Sequence, residues 1–323
     1  MTRHRTLRLI YGVVVSLLLI LLPKTLSPTY VNLSIEIFVF ALFAVSFNLL
    51  IGYCGLFPFG HAAMFGVGAY TAGLIFHYLP SMHLILTLLI GALSGFIAGI
   101  LIGSFCVRLR GVYFAIISLA FQMFLFAVAW KWRAVTRGDD GIGIIRPNLH
   151  LPVLGSISMM NIQNLYWLTL VIVAIGIFAC YLFLKTPLGN SVLCMRENDL
   201  RASFFGYHIF LTKLIVFSAA GLLAALAGAL FVLFEEFVGI NSIDINMSMI
   251  VILMVILGGR HFLGPVLGAA FYIIFQNWIA SLTAHWWLIM GVLFVASILY
   301  LENGLISLLQ LEKVRLWVGR RLK

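Results

Sequence analysis

The chain has 323 residues, 63% of them hydrophobic and only 9% charged, with 20 Lys and Arg against 10 Asp and Glu. About a quarter of a soluble domain is charged, so this composition excludes an ordinary water-soluble globule and makes a bilayer the solvent. Long apolar runs such as "WLTLVIVAIGIFACYLFL" also exclude barrel strands, which alternate apolar and polar over roughly 10 residues, and leave helices as the spanning element.

A helix needs roughly 20 residues, sometimes fewer, to cross the hydrocarbon. On that ruler the expected fold is all-α and integral to the membrane, a polytopic helical bundle of about ten hydrophobic segments. They cover residues 9–23, 31–52, 61–79, 84–106, 112–130, 164–184, 213–234, 246–259, 264–281 and 286–301. The first follows a basic head, "MTRHRTLR", as a signal peptide would. It ends in "PKTLSPTY" with no small-x-small cleavage pattern, so it is expected to be a retained span.

The second segment carries two polar residues. Glu36 lies about two turns in, near the outer side, either reaching water or facing a pathway. Asn48 has a side-chain amide that needs partners in lipid, from a neighbouring helix or from a pathway. The third segment opens with "FGHAAMFGVGAY", residues 59–70. Its glycines weaken a helix, and irregular backbone at membrane depth is tolerated only inside protein or along a water-filled cavity. A discontinuous Gly-rich helix facing the bundle interior is expected here. His61, Gly66, Gly68 and Tyr70 are candidate pathway residues, although His61 could equally hydrogen-bond a neighbouring loop. In the fourth segment Gly91, Gly95, Gly99 and Gly103 recur every four residues on one face, a packing stripe for another backbone. Ala220, Ala224 and Gly228 repeat the device. Gln122, in the fifth segment, is a weaker pathway candidate that could instead make structural bonds.

Two loops are long. With the N-terminus in the cytoplasm, residues 131–163 form an extracytoplasmic loop and residues 185–212 a cytoplasmic one. Of the 20 basic residues only Lys24, Lys131, Arg133, Arg137 and Arg146 then fall outside, as the positive-inside rule expects. Both termini are expected in the cytoplasm. A single permease domain over residues 1–310 is followed by a basic tail over 311–323.

No G-x-x-x-x-G-K-[ST] motif occurs, and no lysine follows a glycine, so no phosphate-cradling loop is encoded. No metal-ligand cluster or catalytic motif is visible either. Cys54, Cys106, Cys180 and Cys194 are scattered and read as small buried hydrophobes. Intramembrane charged pairs, typical of gradient-driven carriers, are missing; Glu235, Glu236, Glu302, His77, His83 and His285 all fall near interfaces. The pattern is that of a pore-forming subunit powered by something else, and the competing class is a self-sufficient secondary transporter or channel.

Five stretches in order carry a resemblance: "FNLLIGYCGLFPFGHAAMFGVGAYTAG", "VRLRGVYFAIISLAFQ", "TRGDDGIGII", "TPLGNSVLCMRENDLRASFFGYHIFLTKL" and "MVILGGRHFLGPVLGAAF". Over roughly residues 30–310 the chain resembles the branched-chain amino-acid ABC transporter permeases, LivM type. The resemblance implies a bacterial inner-membrane importer with a second permease subunit, homologous or identical, two cytoplasmic ABC ATPases and an extracytoplasmic solute-binding protein. It implies no cofactor in this chain, ATP-Mg being used by the ATPases. Arg196, Glu197, Asn198, Asp199 and Arg201 would lie on a short helix docking into an ATPase groove, with Gly206 at the following turn. Asn190, Arg260, His261, Phe57 and Pro58 depart from the family pattern, as does "LENGLISL". These departures leave the solute open among branched-chain and other amino acids, urea and short amides.

Overall fold

A computed structural model describes residues 23, 27–151, 155–204, 206–259, 261–300 and 304–305. The first expected span and the basic tail lie outside the described residues. The long helices are α1 (Pro28–Asn48), α2 (Ala62–Tyr78), α3 (Leu84–Cys106) and α4 (Val112–Lys131). After a one-turn α5 (Arg133–Thr136) come α6 (Ile162–Lys185), then α7 (Pro187–Glu197) and α8 (Asp199–Phe204) at the inner end. The chain returns as α9 (Ile209–Glu235), α10 (Ile245–Gly258), α11 (Gly264–Leu282) and α12 (Trp286–Tyr300). Among the described residues seven helical stretches are long and apolar enough to cross a membrane; α2 and α12, of 17 and 15 residues, are shorter. Each of the nine later hydrophobic segments falls on one of these long helices.

Two helices form the centre. In α1 every residue from Val39 to Asn48 is buried, and α9 is buried along most of its length. α9 packs most extensively on α3, α2 and α1, while α1 also packs on α6 and α11. Lipid tails are as apolar as leucine, so helix association here relies on close van der Waals fit. The sequence supplies that fit. A Cβ at Gly95 would collide with Ala225 Cβ and Gly221 O, and one at Gly99 would lie 2.7 Å from Ser218 Cα. Leu89, Leu93, Ile97, Leu101 and Phe105 on the opposite side of α3 are exposed and form its lipid face.

Two expectations need correction. α2 is one continuous helix through Gly66, Gly68 and Gly73, not a discontinuous one. The irregular backbone precedes it: α1 ends in a π-helical turn (Leu49–Cys54), then Gly55 at φ 72° starts a loop. Each glycine costs a helix about 1 kcal/mol relative to alanine, but Gly68 lets α2 meet the α9 backbone at Ala225, and Gly66 and Gly73 make room for Ile243 and Val238. The expected all-α polytopic bundle holds, with two short strand pairs added to it. β1 (Ile142–Gly143) pairs antiparallel with β4 (Phe237–Val238), and β2 (Leu149–Leu151) with β3 (Gly155–Ile157). Both pairs sit in or beside the outer loop, where they satisfy backbone groups that no helix can. Finally, Cys54, Cys106 and Cys180 are buried, but Cys194 is exposed, because it falls on the outward face of α7.

The contacts of the α3 stripe make a graded prediction. Gly95→Ala forces a methyl against α9 backbone and should cost about 1–3 kcal/mol. At Gly103 the new methyl would meet only the side-chain ends of Leu214 and Phe217, at 2.9 Å, which can turn aside. Thermal unfolding of the detergent-purified protein should therefore show a clear loss for Gly95→Ala and little for Gly103→Ala. Equal losses would contradict this packing.

Candidate functional site

The α1–α2 connection folds back so that His61, at the start of α2, is fully buried against α1. Its ring stacks on Phe43 (centroids 5.5 Å, 8° between planes) and meets Phe47 edge-on at 5.4 Å. Ser46 Oγ donates to Phe43 O at 2.6 Å, so toward His61 Nε2, 2.8 Å away, it acts as acceptor. That arrangement puts the His61 proton on Nε2, and among the described residues Nδ1 is buried without a hydrogen-bond partner. One turn further along α1, Asn48 lies over Gly52, and its Oδ1 is likewise buried and unpartnered.

Gln122 is fully buried and bonded at both ends of its amide. Nε2 donates to Ile243 O at 2.7 Å, and Oε1 accepts from Ser248 Oγ at 2.9 Å. Ser248 Oγ accepts in turn from Ala62 N at 3.0 Å. Nearby, Gly60 N donates to Ser118 Oγ at 3.3 Å. This chain of bonds ties the start of α2 to α4 and to the start of α10. The elements then approach closely: a Cβ at Gly66 would strike Ile243, and one at Gly68 would strike Ala225 backbone. Tyr70, 6% exposed, places its hydroxyl in the interior without a hydrogen-bond partner among the described residues. The structure thus gathers Gln122, Gly66 and the His61 end of α2 around one node, with Asn48 and Tyr70 apart from it. None of the six lines the outer cavity of about 740 Å3, which is bounded by residues including Phe76, His77, Arg146, Asn148, Ser158 and Met160.

At the outer end the 131–163 loop caps the helices. His77 Nδ1 donates to Gly143 O at 3.3 Å, and Arg137 Nη2 donates to His77 Nε2 at 3.2 Å. Arg146 Nε and Nη2 donate to Leu233 O and Phe234 O, each at 2.7 Å, and Nε lies 3.1 Å from Glu236 Oε1. A guanidinium on the terminal carbonyls of α9 satisfies both the open acceptors and the negative end of the helix dipole. Sequence reasoning placed Arg146 only in the outer loop. The available signal was an arginine followed by proline on the side disfavoured for positive charge.

At the inner end Thr186 caps α7, its Oγ1 accepting from Gly189 N at 3.3 Å, with Pro187 in the first turn. Asn198 is extended and separates α7 from α8. Val192, Met195 and Ala202 face the bundle, while Leu188, Leu193 and Phe204 face out, Phe204 at 88% exposure. Arg196 Nη1 donates to Gly52 O at 2.5 Å, holding α7 to the π-helical turn. Asp199 Oδ2 bonds Lys213 Nζ at 2.8 Å and lies 3.6 Å from Arg110 Nε. Glu197 is exposed on the last turn of α7, Arg201 lies on α8, and Gly206 follows at φ 81°. The structure therefore brings Arg196 and Asp199 onto the bundle. Lys213, the buried partner of Asp199, was visible in the sequence only as one more inner charge.

Comparison with known proteins agrees with this architecture. Residues 29–298 match the family described as "Branched-chain amino acid transport system / permease component". The high-affinity branched-chain amino acid transport system permease protein LivM of Escherichia coli K12 is 24% identical over 310 residues, covering 88% of this chain and 72% of that protein. LivM of Salmonella typhimurium is 25% identical over 306 residues, with the same coverage. The autoinducer 2 import system permease protein LsrC of E. coli O9:H4 is 29% identical over 192 residues, 57% of this chain and 52% of that protein. No solved structure matches. The chain belongs to the family of branched-chain amino acid transport system permease components.

Proposed function

We propose that this protein is the membrane-spanning permease subunit of an ATP-binding-cassette importer for a branched-chain amino acid, working with a second permease, two cytoplasmic ATPases and an extracytoplasmic binding protein. Family membership and the LivM relatives support the class and the solute. The observation that carries the mechanism is the α7–α8 pair. Its inner face is bonded to the bundle through Arg196 and Asp199, and its outer face presents Leu188, Leu193 and Phe204 to a partner. An apolar side chain exposed at the end of a short amphipathic element is an anchor for a groove on another protein.

In this reading ATP-Mg binds only to the ATPases. Their closure moves α7–α8, and the Asp199–Lys213 bond passes that movement to α9. Ten crossings with both termini in the cytoplasm of a bacterial inner membrane fit the placement of Lys185, Arg108 and Arg110 at the same end as α7. The permease domain extends over residues 1–310, and 185–212 is its coupling loop.

Two measurements test the proposal. In proteoliposomes containing the complete complex and binding protein, leucine uptake should require internal ATP and survive collapse of ion gradients. Uptake by this chain alone, driven by an ion gradient, would sink it. Exposing one phenylalanine instead of burying it at an interface forfeits about 1.5–3 kcal/mol, so Phe204→Ser should weaken ATPase binding roughly tenfold or more. Asp199→Asn should leave ATPase binding near wild type but reduce transport per ATP hydrolysed. Pull-down titration and coupled uptake–hydrolysis assays separate the two effects, and unchanged values in both variants would remove α7–α8 from the coupling path.

A further inference from the structure

At the end of the bundle that carries α7 and α8, three helices meet at the turn between α3 and α4. α3 packs on α9 where Gly103 faces Leu214 and Phe217. α4 packs on α9 through Phe114 and Phe217, ring centroids 6.0 Å apart, and on α3 through Phe121 and Phe105, 5.7 Å apart. The turn puts two arginines at the top of this corner. The Arg108 guanidinium lies over the Phe210 ring of α9, 5.4 Å from its centroid, and Arg108 is exposed. Arg110 points toward α8, with Nε 3.6 Å from Asp199 Oδ2, yet its side chain stays 68% exposed. The same carboxylate oxygen is held more closely by Lys213 Nζ, at 2.8 Å. Among the described residues no second carboxylate pairs with either arginine, so the corner carries an excess of positive charge. The residues flanking the arginines and Phe210 are apolar and exposed: Phe105 at the end of α3, Val112 and Tyr113 at the start of α4, and Leu211 on α9, with Tyr113 at 74%.

We infer that the α3–α4 corner binds an anionic phospholipid of the bilayer, with its phosphate on Arg108 and Arg110 and its acyl chains along the exposed side of α3. Guanidinium is weakly hydrated and forked, and it holds phosphate oxygens by paired, charge-assisted hydrogen bonds. Both arginines keep donors for such an acceptor. The contact of Arg108 with Phe210 is made through the ring face, and the Arg110–Asp199 separation is longer than a hydrogen bond. The exposed row on α3 from Leu89 to Phe105 gives acyl chains an apolar track that ends beside the arginines. Tyr113 adds an amphipathic ring of the kind that lines membrane interfaces. A soluble anion would use the arginines and leave these apolar side chains uncovered. A lipid meets both, as anionic headgroups do in basic pockets at helix ends. The site depends on the membrane-spanning architecture alone and not on the importer reading.

The test is native mass spectrometry of the full-length protein in detergent micelles, titrated with dioleoylphosphatidylglycerol, dioleoylphosphatidylcholine or inorganic phosphate. Phosphatidylglycerol should be retained about tenfold more tightly than phosphatidylcholine, and millimolar phosphate should not displace it. Arg108→Gln leaves the Asp199–Lys213 pair untouched and should weaken retention roughly fivefold; adding Arg110→Gln should bring the loss to roughly twentyfold. Lys185→Gln removes a cation that lies over Tyr181 of α6, outside this corner, and should keep retention within about twofold of wild type. Equal retention of the two lipids, displacement by phosphate, wild-type retention in the double variant, or an equal loss in Lys185→Gln would each overturn the assignment. So would a dimer that forms without lipid and is lost in Arg108→Gln, because it would give the corner to a second copy of the chain.

Discussion

The close approach of α9 to α2 and α3 is the contact on which the rest of the structure depends. Gly68 lies against Ala225 backbone, Gly228 against Phe65 O, and Gly95 and Gly221 against each other. Three backbones meet with almost no side chain between them. Nothing hydrophobic drives helices together inside a bilayer, so such fit is what distinguishes one packing from another. It also has a geometric consequence. With α2, α3 and α9 locked, α1 is enclosed between α9, α6 and α11, and its polar residues Ser46 and Asn48 are carried into the interior.

The same central helix joins the two ends of the molecule. At its inner end Lys213, 7% exposed, is held by Asp199 of α8. At its outer end Arg146 binds the carbonyls of Leu233 and Phe234, and Ile144 N donates to Glu236 O at 2.8 Å. Each terminus of α9 is thus attached to a loop by charge-assisted bonds, which are stronger than neutral ones. Between these ends the helix touches its neighbours through small residues. A small tilt of α9 would be felt both by the α7–α8 pair and by the outer cap, without any change in its own hydrogen bonds.

The helices were legible in the sequence because they rest on long apolar runs, and composition alone is a strong signal for those. The inner loop was legible as helical through "MRENDLRA", but the sequence suggested one short helix over Arg196–Arg201, and extended Asn198 instead divides it into α7 and α8. What escaped was anything that depends on which partner a residue meets. Gly66 and Gly68 suggested a broken helix, because glycine reads as a breaker when its neighbour is unknown. In place they are contact points for Ile243 and Ala225, and the break falls at Leu49–Cys54, in residues with no glycine before Gly52. The small strands escaped for a similar reason: two or three residues carry no period. Arg146 and Lys213 looked like ordinary loop charges until their acceptors, 87 and 14 residues away, were placed beside them.

Hydrogen-bond satisfaction sorts the interior polar residues into two kinds. Gln122 and Ser248 have donors and acceptors matched within the protein. Such a network fixes the position of each member. His61 is intermediate, with Nε2 bonded to Ser46 and Nδ1 open. Among the described residues, Asn48 Oδ1, Tyr70 Oη and Tyr272 Oη have no hydrogen-bond partner although all are buried. An unmatched polar atom inside a membrane protein is costly, and each of these needs water or another polar group to meet it. They lie on α1, α2 and α11, and not on α3, α4 or α6, whose broad apolar faces are turned to lipid. The matched Gln122 node, by contrast, ties α2 to α4 and α10 and holds those three elements in one arrangement.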